Sequence, residues 1–266
     1  PAGIVEPHAK SQVMKRRVVG VIPARWGAKR FPGKSLAFIG GKPLLRWVIE
    51  RTCQARELDG VLVATDDERI AAVAREANVE VAMTDPDLPS GTDRIAAAIQ
   101  GRPADVVINI QGDEPLIDPA LIDSLARLLA ENASWDMATA ASPLQSSEEL
   151  ANPDVVKVVR AYDGRALYFS RAPIPYQRDA TSPPAPIAGS HYRHVGIYAY
   201  QRPFLERLVQ EPPSALETIE KLEQLRALAL GARMFVMDCA TPGIGVDSPA
   251  DVPRAEALLR DAGLLP

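Results

Sequence analysis

Short apolar runs alternate with segments of helical period through the first half of the chain, and this alternation limits the fold more than any other feature. The runs at 18–23, 61–65, 79–83, 105–110 and 137–141 read as buried strands. Helical spacing fills the intervals at 44–56, 66–77, 92–100 and 119–131. Pro43 suits a first helical position, and the acids that open 66–77 suit the positive end of a helix. The cadence predicts an α/β fold, with a mainly parallel, mixed sheet flanked by helices. Ligands of such sheets bind beyond the carboxyl ends of the strands, so the loop after each strand is where chemistry is expected.

The second half changes character. Runs at 155–159 and 166–169 flank Asp163-Gly164, a hairpin signal. Pro173, Pro175, Pro183, Pro184 and Pro186 make 172–189 an irregular excursion. Strand alternation returns at 191–200, helical period at 216–230, a strand at 234–238 and a closing helix at 249–259. There is no internal repeat and no clean linker. The expectation is a disordered lead-in over 1–16, then one domain over 17–266 with an inserted antiparallel subregion at about 150–200.

A chain of 266 residues, 47% hydrophobic, can bury a sizeable core without disulfide staples. Cys53 and Cys239 lack CxxC spacing and read as reduced core thiols, which points to the cytoplasm. No apolar run approaches the roughly 18 residues that span a bilayer, and the opening residues lack the apolar block of a secretory signal. The net charge of −4 argues against a nucleic-acid surface.

Charge is nevertheless inverted locally. Arg25, Lys29, Arg30 and Lys34 crowd into ten residues after the first strand. Four cations at a strand's carboxyl end repel one another until an anion binds, and a polyphosphate suits them. The loop is not a Walker A sequence: that motif has four residues between its first glycine and the Gly-Lys pair, whereas five separate Gly27 from Gly33. The strand at 105–110 runs into Gln111-Gly112-Asp113-Glu114. Asp113 can hold magnesium against a triphosphate, because magnesium takes one or two carboxylates plus phosphate oxygens. The cap of the following helix falls to Asp118. Asp247, in the glycine-containing segment before the last helix, is either a second metal ligand or an N-cap. Ser90-Gly91-Thr92-Asp93-Arg94 is explained by helix capping, and Gly91 would also let backbone approach a base or ribose.

A polar acceptor pocket is expected from the second half. Tyr192, His194, Tyr198 and Tyr200 share one face of their strand, with Gly196 leaving space between them. Glu217, Glu220 and Gln224 form one stripe of the 216–230 helix, and Arg171 ends the Leu167-Tyr-Phe-Ser run. An arginine would take a carboxylate, and the other groups hydroxyls.

Taken in order, the stretches IPARWGAKRFPGKSL, SGTDRIA, VINIQGDEPLI, NPDVVKVV, ALYFSRAPIPY, RHVGIYAY, LETIEKLEQLRAL and GIGVDSPADV resemble the 3-deoxy-D-manno-octulosonate (Kdo) cytidylyltransferases, over about residues 17–260. The resemblance implies a nucleotide-diphospho-sugar transferase (glycosyltransferase-A-like) domain acting as a homodimer. The implied reaction joins CTP and Kdo into CMP-Kdo and diphosphate, toward lipopolysaccharide. By match to the family's motifs, Arg25, Arg30 and Lys34 would bind the triphosphate, with Arg25, Lys34, Asp113 and Asp247 carrying catalysis. Gln111, Thr65, Asp66, Ser90, Gly91 and Thr92 would form the cytidine pocket. Asp113 and Asp247 would hold Mg2+, and Arg171, His194, Tyr198, Glu217 and Gln224 would bind the sugar. The first loop departs from the family in Trp26-Gly27-Ala28-Lys29, where a tyrosine and small residues are expected. Rivals are a cytidylyltransferase for another acidic sugar and a binding-only protein, although the latter needs neither aspartate. A dehydrogenase is excluded by the basic first loop without GxGxxG.

Overall fold

The computed structural model describes residues 15–27, 31–180, 184–240 and 243–265. The expected lead-in lies mostly outside them, as do Lys29 and Arg30 of the basic loop. The strands are β1 (Val18–Ala24), β2 (Phe38–Ile39), β3 (Lys42–Pro43), β4 (Gly60–Thr65), β5 (Glu80–Met83), β6 (Val106–Asn109), β7 (Met137–Pro143), β8 (Lys157–Arg160), β9 (Ala166–Ser170), β10 (Tyr192–Gln201) and β11 (Met234–Asp238). The helices are α1 (Leu44–Thr52), α2 (Glu68–Glu76), α3 (Gly91–Ala98), α4 (Pro119–Glu131), α5 (Ser147–Ala151), α6 (Arg202–Gln210), α7 (Ala215–Glu220), α8 (Gln224–Ala229) and α9 (Val252–Asp261).

The main sheet runs β11-β7-β10-β6-β1-β4-β5, with β8 and β9 added beside β10. Pairing is parallel from β6 through β1 and β4 to β5, and between β7 and β11. β10 alone on this path runs the other way, antiparallel to both β6 and β7. The antiparallel region is therefore woven into the centre of the sheet rather than appended to it. This has a consequence for the site: the beginning of β10 lies at the carboxyl edge of its neighbours, with Tyr192 opposite Pro143 and His194 opposite Ala141.

Alternation along β1 splits the core. Val19 and Val21 join a cluster with Ile95, Phe169 and Leu205, whereas Val18 and Ile22 join one with Leu45, Ile49 and Leu125. Each such aliphatic side chain removed from water contributes about 1.5–3 kcal/mol. Leu121, Ile122, Leu125, Ala126 and Leu129 of α4 are all buried, the stripe a 3.6-residue period lays on one face. Asp118 caps α4 by accepting from the Ala120 amide at 3.0 Å.

The helix expected at 216–230 is two helices. Lys221, between α7 and α8, has φ 55° and ψ 46°, a left-handed conformation that ends α7. Cys53, expected in the core, is exposed at the C-cap of α1, and Cys239 is half-buried; both are free thiols. Pro43 stands at the N-cap of α1, one position before the expected one. Among the described residues no helix is long and apolar enough to cross a membrane.

Candidate active site

The loop after β1 and the segment before α9 meet at the carboxyl edge of the sheet. They line a cavity of about 330 Å³ with Arg25, Lys34, Gly91, Arg94, Gln111, Gly112, Asp113 and Asp247. The ammonium of Lys34 donates to Asp113 and, at 3.3 Å, to Asp247. Two carboxylates separated by more than a hundred residues of sequence thus share one cation. Their loops are docked directly, because the Val246 amide donates to the Asp113 carbonyl at 2.9 Å. Asp247 is not the helix cap: Ser248 is the N-cap of the turn that leads into α9, and the Asp247 amide donates to Asp251 at 3.0 Å.

Glycine permits this convergence at two points. A Cβ on Gly112 would lie 2.8 Å from the Pro23 carbonyl, so no larger residue lets Asp113 approach β1 this closely. Gly33 has φ 70°, and a Cβ there would strike the Trp26 ring at 2.8 Å. Trp26 closes the loop: its carbonyl accepts from the Gly33 amide at 3.0 Å, and its ring lies 3.4 Å from the Arg69 guanidinium. The tryptophan that departs from the family pattern is therefore the pivot of the basic loop.

Other expected nucleotide residues frame the cavity from behind. Thr65 is buried, and its hydroxyl accepts from the Asp67 amide at 3.2 Å. Asp66 accepts from the Trp26 amide at 3.3 Å and from Arg94 at 3.4 Å. Ser90 caps α3, accepting from the Asp93 amide at 3.1 Å, and the buried Thr92 donates to Glu223. The sequence reading missed Arg94. It is buried, it lines the cavity, and its pKa is lowered by burial, by more than neighbouring Asp66 restores. Its position, one helical turn beyond Gly91, was the available signal.

The acceptor candidates divide. His194, Tyr198 and Tyr200 do share a face, with ring centroids 5.4 and 6.1 Å apart. His194 also packs edge-on to Phe169 at 5.0 Å and meets the Thr139 hydroxyl at 2.8 Å. Burial lowers its pKa to about 3, so the ring is neutral. Burial likewise pushes the Tyr198 hydroxyl well above its usual range. Arg171 is held by its Nε, which donates to the Glu220 carbonyl at 2.7 Å, and by Nη1, which donates to the Pro153 carbonyl at 2.9 Å. Glu217 is committed elsewhere: it receives Arg226 at 2.7 and 2.9 Å and completes a capping box with Ser214. Gln224 is buried at the start of α8, beside Glu223, which the sequence reading also missed.

Glu114 stands between the two halves of the site. It is buried, and a Cβ on Gly196 would lie 3.9 Å from its Oε1. Its Oε2 has no hydrogen-bond partner among the described residues. Burial, reinforced by the charge of Asp113, raises its pKa to about 7.

A family profile described as cytidylyltransferase matches residues 19–234. The 3-deoxy-manno-octulosonate cytidylyltransferase of Bdellovibrio bacteriovorus is 48% identical over 93% of this chain and 100% of its own length. That of an Anaeromyxobacter species is 50% identical over 92% of this chain and 97% of its own. A solved CMP:2-keto-3-deoxy-manno-octonic acid synthetase complexed with CTP superposes with a TM-score of 0.86 at 39% identity, covering 92% of this chain and 99% of that one. A 4-diphosphocytidyl-2C-methyl-D-erythritol synthase from Anaerococcus prevotii shares the fold, with a TM-score of 0.61 at 13% identity, covering 92% of this chain and 97% of that one. With its fold, its paired aspartates and relatives matched from end to end, the chain belongs to the 3-deoxy-manno-octulosonate cytidylyltransferase family.

Proposed function

We propose that the protein transfers CMP from CTP to Kdo, giving CMP-Kdo and diphosphate for lipopolysaccharide synthesis. The observation that carries this reading is Lys34 held between Asp113 and Asp247, in a cavity also lined by Arg25 and Arg94. The anomeric hydroxyl oxygen of the sugar attacks the α-phosphorus in line. The bond to the bridging oxygen breaks, diphosphate leaves with the electron pair, and the proton of the attacking hydroxyl passes to solvent water. Arg25, Arg94 and Lys34 bear on the charge that spreads over the phosphoryl oxygens and the leaving group.

The donor set fits magnesium. Two carboxylates already converge on one cation. That matches an ion that takes the rest of its shell from phosphate and water. Asp113 and Asp247 would hold it; bound there, it would lower the pKa of the attacking hydroxyl and offset phosphate charge. His194, with a pKa near 3, is too weak a base to take that proton at neutral pH. Its role is to shape the acceptor pocket with Tyr198, while Arg171 receives the sugar's carboxylate.

The protein works as a cytoplasmic homodimer in this reading. Exposed Tyr162, Leu167, Tyr176 and Ile187, on and beside the antiparallel region, support an interface there. Sedimentation equilibrium showing only monomer at micromolar concentration would remove that part.

Diphosphate release decides the chemistry. Purified protein is assayed with CTP, magnesium and Kdo, with ATP, UTP and GTP in parallel and sialic acid as a second acceptor. Release with CTP and Kdo alone, abolished by Asp113→Ala, is expected. Release with sialic acid instead would keep the chemistry and overturn the acceptor. Silence with every pair, in folded protein, would leave a binding protein.

A further inference from the structure

Lys157 has no exposed surface at all, the only charged side chain among the described residues of which this is true. Burying an ammonium is costly unless it is paired, and buried charges usually find a carboxylate. Lys157 forms no ion pair among the described residues. Its Nζ donates instead to three backbone carbonyls: Asn152 at 2.8 Å, Val155 at 2.6 Å and Arg171 at 2.5 Å. Three donors meet three acceptors, so the group is satisfied as a hydrogen-bonding centre. A buried water makes much the same bonds without a charge. What the lysine adds is the charge.

The carbonyls it gathers are not scattered. Residues 152–156 connect α5 to β8, and four of these five carbonyls are tied to the acceptor corner. Asn152 and Val155 accept from Lys157, Pro153 accepts from Arg171 Nη1 at 2.9 Å, and Val156 accepts from the His194 amide at 2.8 Å. The loop thus joins Arg171 to His194, and Lys157 is the knot beneath it. Asp154 and Val155 of the same loop also line the cavity that opens beside Asp247. Among the described residues, the carboxylate engaged at the Arg171 turn is that of Glu220, which accepts from the Ser170 hydroxyl at 2.6 Å and the Arg171 amide at 2.9 Å. The charges that bear on Lys157 are those of Arg171 and Glu220, so these three buried or half-buried groups leave one surplus positive charge, while the Asp154 carboxylate of the loop is exposed to solvent.

We propose that Lys157 is a positioning residue of the acceptor site. It fixes the loop that joins Arg171 to His194, and it supplies the surplus charge by which the corner selects an acceptor bearing a carboxylate. The inference rests on the reading of Arg171 as the contact for that carboxylate, and the test separates the two.

Lys157→Met is close in volume and removes the charge and its bonds. Rates are measured with CTP and either Kdo or its carboxamide, which has the same shape without the charge. The KM for CTP should stay within about twofold, and the KM for Kdo should rise about tenfold, as expected for a unit charge lost near a desolvated carboxylate. The preference for acid over amide, as a ratio of kcat/KM values, should fall by a similar factor. A purely structural brace would slow both acceptors alike, so an unchanged ratio overturns the proposal. If Lys157→Met fails to bind CTP or to fold, Glu220→Gln carries the test: it leaves the lysine in place and raises the corner's charge. The ratio should then rise several-fold, and a ratio that stays level or falls overturns the proposal. A wild-type protein indifferent between acid and amide would overturn the reading of Arg171, and this inference with it.

Discussion

Lys34→Met should strengthen magnesium binding in the absence of nucleotide while weakening CTP binding. The Lys34 ammonium bridges Asp113 and Asp247, so a dication that takes both carboxylates must displace it. The contact to Asp247 is 3.3 Å long. Coulomb's law puts a unit pair at that distance near 5 kcal/mol at an effective dielectric of about 20, and near 1.3 kcal/mol in water. The three side chains are 20%, 22% and 46% exposed, so solvent screens much of the larger figure. A displacement cost of about 1–2 kcal/mol remains, close to a factor of 10 in affinity. Calorimetric titration of the nucleotide-free variant with magnesium chloride should therefore show about tenfold tighter binding than wild type. Titration with CTP should show the reverse, weaker by about 10- to 100-fold, because a charge-assisted contact to phosphate is worth about 1.5–3 kcal/mol. The opposed directions are the point. Magnesium affinity that is unchanged, or falls along with that for CTP, would refute the idea that the two aspartates form a cation site which Lys34 occupies before substrate arrives.

His194→Gln should raise the KM for the acidic sugar while leaving the activity profile between pH 6 and 8 unchanged, because the wild-type ring is already neutral there. A lost limb in that profile would restore His194 as a base. The same substitution should flatten stability against pH. The folded-state pKa lies below the unfolded one, so the unfolded chain binds the extra proton and wild-type stability falls as pH drops from about 6.5 toward 3; urea midpoints at pH 7 and pH 5 report it. Gly112→Ala forces a Cβ to within 2.8 Å of the Pro23 carbonyl and should cost about 1–3 kcal/mol in urea unfolding, with a larger loss of kcat than of CTP affinity. Lys221→Gly should stabilise by about 0.5–1 kcal/mol without loss of activity, since it relieves a left-handed residue on the surface; destabilisation would mean that the Lys221 side chain, not its backbone, shapes the break.

That break shows where sequence reading stops. The strands and most helices of the first half were legible because burial on both faces of a parallel sheet leaves continuous apolar runs, and because caps such as Asp118 are local. Residues 216–230 keep a helical period throughout, with neither glycine nor proline to mark an end, and so predict one helix. The turn at Lys221 is set by tertiary demands instead. It lets Glu217 reach back to Arg226, Glu220 reach the Arg171 turn and Glu223 reach Thr92. In a continuous helix Glu217, Glu220 and Glu223 would repeat at i, i+3 and i+6 along one side. The stripe expected to serve a single pocket, Glu217, Glu220 and Gln224, follows from that continuous helix and leaves Glu223 out. Placing β10 between β6 and β7 was equally out of reach, since alternation identifies a strand but not its neighbours.

The two lysines make the same argument at the level of single side chains. Lys34 was legible because cations crowding at a strand's carboxyl end raise an electrostatic difficulty that the sequence itself displays. Lys157 raises none: a single lysine inside the apolar run Val155-Val-Lys-Val-Val displays no crowding of charge. Only the fold reveals that β8 is paired along both edges there, with Ser170 and Arg193 in register beside Lys157, and that the loop whose carbonyls it gathers closes over the side chain. Charge that organises a site from outside is visible as a pattern in the chain. Charge that organises it from beneath becomes visible when the environment is known, because its signature is the absence of water rather than the presence of a motif.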